Sequence, residues 1–173
     1  MEWIIIAGLV AALVLIGVIT LKRKLTEMSN NVRNAMVQIG VQLSSRYDML
    51  MTLLKLTEQY AGENMSGLLV SVENRRRTIT ATATPDDVVW QEAVIADALK
   101  AVSEAELQYP MLKENEEYLR LLEAVDGYGK MLDTSRFIYN DSVKKFNHNL
   151  SVFPANLVGP LLGFTRREYL GAY

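Results

Sequence analysis

The chain has 173 residues, a formal charge of −2 and a pI near 5.5, a balance that argues against nucleic acid as a partner. It contains no cysteine and one histidine, His148. That excludes a disulfide framework, a thiolate metal site, a thiol nucleophile and a multi-histidine metal centre.

Nineteen uncharged residues, Trp3 to Leu21, come first, and Lys22-Arg23-Lys24 follows at once. As a helix the run reaches about 28 Å, the thickness of a bilayer's hydrocarbon core. Ile4, Leu9, Leu13, Leu15, Ile19 and Leu21 make it apolar, and Trp3 suits the outer headgroup level. A secretory signal carries its charges before the apolar core and small residues at a cleavage site. Here Glu2 precedes the core, the basic residues follow it, and Ile19-Thr20-Leu21-Lys22 is a poor cleavage site. Residues 1–24 therefore read as an uncleaved single-pass anchor, with the amino terminus outside and the rest in the cytoplasm. The remaining ~150 residues suffice for one domain with its own core.

Val32, Met36, Ile39, Leu43, Leu50 and Leu54 recur at helical spacing, and no Gly or Pro cluster divides them from the anchor. One helix is expected from the membrane to Ala61, with Gly62 as its C-cap and Asn64 capping the next helix. A second helix is predicted over 65–83, with Met65, Leu69, Val72, Ile79 and Ala83 on one stripe. Its Thr78–Thr84 alternation also fits a strand, but no partner strand exists elsewhere, so the segment is read as a weak helix end.

Thr84-Pro85-Asp86-Asp87 signals a helix start: an N-cap, a proline at the first position and two acids at the positive dipole end. This third helix is expected to reach Gln108, apolar on two sides, and to stop at Tyr109-Pro110. A fourth is predicted over 114–150 on a heptad seam that includes Tyr118, Val125, Leu132, Tyr139, Val143 and Phe146. Gly127 and Gly129 within it cost about 1 kcal/mol each relative to Ala, which points to a kink or a close neighbour. The fold class is all-α: an N-terminal transmembrane helix followed by an elongated antiparallel bundle of three to four long helices over 25–152.

The tail, 153–173, has no charge from Phe153 to Phe164, then Arg166-Arg167 and the aromatic Tyr169 and Tyr173. It is too short to span a membrane, and its prolines prevent a long helix. Either it folds back over the bundle end, or Phe153, Pro154, Leu157, Leu161, Leu162 and Phe164 meet a neighbouring subunit or lipid.

Candidate chemistry is sparse. His148, between two asparagines at a helix end, is accounted for by the helix dipole. Arg75-Arg76-Arg77 on a helix points in three directions and reads as a solvated face, and Glu114-Asn115-Glu116-Glu117 reads as first-turn acids rather than a metal cluster. Arg46, Asp48, Arg136, Tyr139 and Asn140 are expected to form a hydrogen-bond network fixing the first helix against the fourth, with a binding cleft as the alternative. No catalytic residue, metal ligand or cofactor is assigned.

Val41-Gln42-Leu43, Arg46-Tyr47-Asp48, Tyr109-Pro110-x-Leu112-Lys113, Tyr118-Leu119, Arg136, Tyr139-Asn140, Val143, Asn147, Phe153-Pro154 and Gly163-Phe164, behind an anchor, resemble the bacterial LemA family. The ordered likeness covers essentially the whole chain. It departs at Met51, Gly129 and Ser135, where the family usually has proline, glutamate and alanine. The resemblance implies a helical bundle anchored in the bacterial cytoplasmic membrane, without established enzymatic activity.

The expected function is a structural scaffold rather than an enzyme. It would contact membrane lipid, form a homo-oligomer and recruit membrane or cytoplasmic proteins. The rivals are a lipid-binding stress or remodelling module and a tethered hydrolase or transferase using carboxylates and Arg136.

Overall fold

The computed structural model describes residues 1–171, and of residues 63 and 64 the backbone only. Tyr173 and the expected Asn64 side-chain cap therefore lie outside the described residues. Five helices account for most of the described chain: α1 (Glu2–Ala61), α2 (Glu63–Asn74), α3 (Pro85–Gln108), α4 (Glu116–Ser151) and α5 (Ala155–Leu161). The fold is all-α.

Helix α1 runs unbroken for 60 residues, about 90 Å. Its apolar first part is long enough to cross a membrane and makes almost no contact with the rest of the chain. Thr20 satisfies its hydroxyl on the Ile16 carbonyl at 2.8 Å, so no polar side chain is left open at the end of that run. Leu25 is the first fully buried side chain, and from there Val32, Met36, Ile39, Leu43, Leu50 and Leu54 form the core stripe. The helix stops at Gly62, whose φ of 61° is one that L side chains rarely adopt.

Helix α4 lies antiparallel along the buried stripe of α1: Asn115 reaches Tyr60, Val125 meets Arg46, and Leu150 lies beside Leu25 across Gly159. The seam is buried at Tyr118, Val125, Leu132, Tyr139, Val143 and Phe146. Helix α4 starts slightly later than its sequence predicts, after a 3-10 turn over Pro110–Glu114, with the Asn115 side chain accepting from the Tyr118 amide. Helix α3 begins at the expected Thr84 cap, and Thr84 and Asp87 form a reciprocal capping box.

The second segment departs from expectation. Helix α2 ends at Asn74, capped by Gly62 at its start, and residues 76–84 form neither helix nor strand. Ile79 is buried and lays its carbonyl against the Gly40 backbone of α1, where a Cβ would collide with it. Contact with α1 replaces the helical bonds the stripe implied, and the alternating threonines offer weak helix propensity to oppose it. Gly40 thus admits an irregular segment against mid-helix backbone.

Candidate functional site

Trp3, Ile4, Leu9, Leu13, Leu15 and Ile19 are exposed around α1, whereas Leu21 packs against the core. Lys22, Arg23 and Lys24 project from the next turn, also exposed. An apolar cylinder with a basic collar thus continues directly into a packed bundle.

The five polar residues expected to link α1 and α4 do not form one network. Arg46 bonds between those helices, donating from Nε to the Val125 carbonyl at 3.2 Å. Its guanidinium lies against Gly129, so a Cβ there would come within 3.2 Å of it. Asp48 stands two residues on, about 200° around the helix, and so faces elsewhere. It is exposed and pairs with Arg76 at 2.9 Å. Arg136 is buried and pairs with Glu92 of α3, a partner the sequence does not single out. Tyr139 donates to the Glu168 carbonyl at 3.0 Å, and burial raises its phenol above the ordinary range. Asn140 holds Leu170 from both sides, its Nδ2 donating to the carbonyl and its Oδ1 accepting from the amide, each at 2.9 Å. These side chains therefore fix α3 and the tail, as well as α1, to α4.

The arginine triplet also differs from expectation, because the helix ends before it fans out. Arg76 lies 4.9 Å over the Tyr47 ring, and Arg77 lies 3.8 Å over Trp90 and 3.3 Å from Asp87. Arg75 approaches Asp97 at 3.9 Å. The three basic side chains remain exposed, as a solvated face would be, and also join the α2 end to α1 and α3. His148 is exposed in the last turn of α4, and Glu116 and Glu117 occupy its first turn. Among the described residues no group of three or more His, Cys, Asp or Glu is placed to hold a metal ion.

Two hollows lie between α3 and α4, of about 650 and 500 Å³, sharing Arg46 and Asp126 in their walls. Arg136, Glu92, Lys130 and Asp133 make one polar, and Leu99, Leu119 and Leu122 make the other largely apolar. At the rim Asp126 and Lys130 pair at 2.7 Å, which lowers the carboxyl and raises the ammonium from their ordinary pKa values. The resulting groove carries Arg46, Lys130 and Arg136 against Glu92, Asp126 and Asp133 in its polar half, and is largely apolar in the other.

The tail divides into a covered side and an open side. Ala155 and Gly159 are buried, Phe164 packs edge-on to Phe146 at 6.4 Å, and Leu170 is fully buried. Phe153, Leu157 and Leu161 remain open, while Leu162 is half-buried and Pro154 exposed. Folding back and exposing an apolar surface are thus both true of this segment, on opposite faces.

The model of the LemA family matches residues 35–172. That span takes in most of the packed part of α1, the Tyr109-Pro110 turn, Arg136, Asn140 and α5. A comparison with curated proteins gives no match.

Proposed function

We propose the following role for this chain, which belongs to the LemA family. It is a single-pass protein of the bacterial cytoplasmic membrane, amino terminus outside, whose bundle stands on the cytoplasmic face and self-associates or recruits partner proteins there. It acts as a scaffold, not a catalyst.

The observation that carries this reading is the continuity of α1, one helix from the apolar run to the far end of the bundle. A flexible linker would let a tethered domain tumble. An unbroken helix instead holds the groove between α3 and α4 at a fixed height and bearing. Copies confined to one membrane and presented in one orientation meet at high effective concentration, which favours closed rings or pairs. The groove and the exposed Phe137 and Ile138 of α4 offer surfaces for such contacts. Full-length chain extracted in mild detergent is expected to sediment as a defined oligomer. Clean monomers at micromolar concentration would count against self-association.

A further inference from the structure

We infer that α5 is a second membrane contact, lying in the headgroup layer of the leaflet from which the anchor emerges, with Leu157 and Leu161 in the acyl boundary. The inference rests on the anchor reading and adds a specific lipid-binding surface to it.

Position comes first. Gly159 sits so close to Leu150 and Leu25 that a Cβ on it would collide with the Leu150 side chain. Leu25 directly follows Lys22-Arg23-Lys24, so α5 packs where the apolar run ends. Coverage of α1 on this face begins still earlier, at the half-buried Val18 and Leu21, which stand seven and four residues before Leu25.

Orientation comes next. Ala155 and Gly159 turn inward. Leu157 and Leu161, each displaced by two residues, lie about 200° around and face away from the bundle. They are 62% and 86% exposed, and Phe153 just before the helix is 75% exposed. Three adjacent open apolar side chains beside a membrane collar form the apolar half of an interfacial helix.

Charge supplies the other half. Arg167 reaches Ser29, one turn beyond Leu25, at 3.4 Å, and Arg166 precedes it. Lys22, Arg23, Lys24 and Arg167 thus fall within about two turns of α1, with Arg166 next in the chain and Glu27 and Glu168 opposing, in a chain whose net charge is −2. A local basic excess on an acidic protein, placed at the span's cytoplasmic end, complements anionic phospholipid headgroups. A protein occupant fits less well, since three side chains fall far short of the ~800 Å² that each partner buries in a stable interface.

The absence of cysteine makes the test direct. Full-length Leu161→Cys, Leu13→Cys and Leu107→Cys variants carry one bimane each, in nanodiscs of phosphatidylcholine and phosphatidylglycerol. Leu13 reports the anchor and Leu107 the exposed far end of α3. Doxyl-labelled lipid is expected to quench Leu161 nearly as strongly as Leu13 and to spare Leu107, with aqueous iodide giving the reverse order. Leu161 behaving like Leu107 overturns the inference, and so does shielding from both quenchers, which would mean a protein covers α5. If the Leu13 label also escapes the lipid quencher, the anchor reading itself fails. Replacing phosphatidylglycerol with phosphatidylcholine is expected to weaken quenching at Leu161 alone, and equal quenching in both lipids overturns the role of the basic collar.

Discussion

Asn140 and Asn147 stand seven residues apart on α4, and each holds a tail backbone by both ends of its amide. Asn147 exchanges two bonds of 2.8 Å with Arg167, and Asn140 two of 2.9 Å with Leu170. Two turns of helix rise about 10.5 Å, and three extended residues cover about 10 Å, so the two spacings match. The tail runs antiparallel to α4 on this pair of rungs, with Tyr139 adding a fifth bond at Glu168.

Removing a rung frees the tail. Asn140→Ala is expected to cost about 1–3 kcal/mol, more than Asn147→Ala, because its bonds are the less exposed. Both variants are expected to speed tryptic cleavage at Arg166 and Arg167. Unchanged cleavage rates and denaturation midpoints would show that the rungs do not hold the tail.

Two glycines give opposite results. Gly40→Ala drives a methyl into the Ile79 carbonyl and is expected to destabilise by about 1–3 kcal/mol. Gly127→Ala meets nothing within 4 Å and is expected to stabilise by up to about 1 kcal/mol through helix propensity. Thermal melts of the two variants beside the parent chain check the order.

The buried Arg136–Glu92 pair holds α3 to α4 beside the polar hollow. Arg136→Met alone leaves Glu92 without its cation and is expected to cost about 3–5 kcal/mol. Adding Glu92→Leu is expected to recover much of that loss. A double variant as unstable as the sum of the singles would deny the pairing.

Tyr47, Tyr118 and Tyr139 all titrate above the ordinary phenol range, chiefly because burial disfavours the phenolate. Tyr118 also donates to the Glu106 carboxylate at 3.0 Å, which raises it further. A raised folded-state pKa means that the native chain holds the proton more tightly than the unfolded one. The stabilisation is therefore complete below the unfolded value of about 10 and is lost as pH climbs through the folded values. Melting temperature is expected to fall above about pH 10, less steeply in Tyr118→Phe than in the parent chain. A parallel fall in both would contradict this assignment.

Periodicity alone carries α1 and α4, and the Thr84-Pro85 signal carries the start of α3, because each depends on residues close in sequence. Long-range partners were not legible in that way. Gly40 looks like an ordinary helical glycine until Ile79 arrives 39 residues later. Arg136 is a buried residue of α4 whose partner, Glu92, sits on another helix, and Arg46 and Asp48 part company because residues two apart on a helix face different neighbours. The asparagine rungs escaped for a similar reason: an amide on a helix does not reveal which backbone it will hold. The tail's two readings stood as alternatives because composition does not assign inner and outer faces, which Ala155/Gly159 and Leu157/Leu161 now separate.

Single-cysteine labelling in intact cells tests the proposed membrane span and the cytoplasmic position of the bundle together. Glu2→Cys lies ahead of the apolar run, and Met111→Cys lies exposed in the turn between α3 and α4. A membrane-impermeant maleimide is expected to label Glu2→Cys in intact cells and Met111→Cys only after permeabilisation. Labelling of Met111→Cys from outside, or recovery of the chain in the soluble fraction, would overturn the proposed topology.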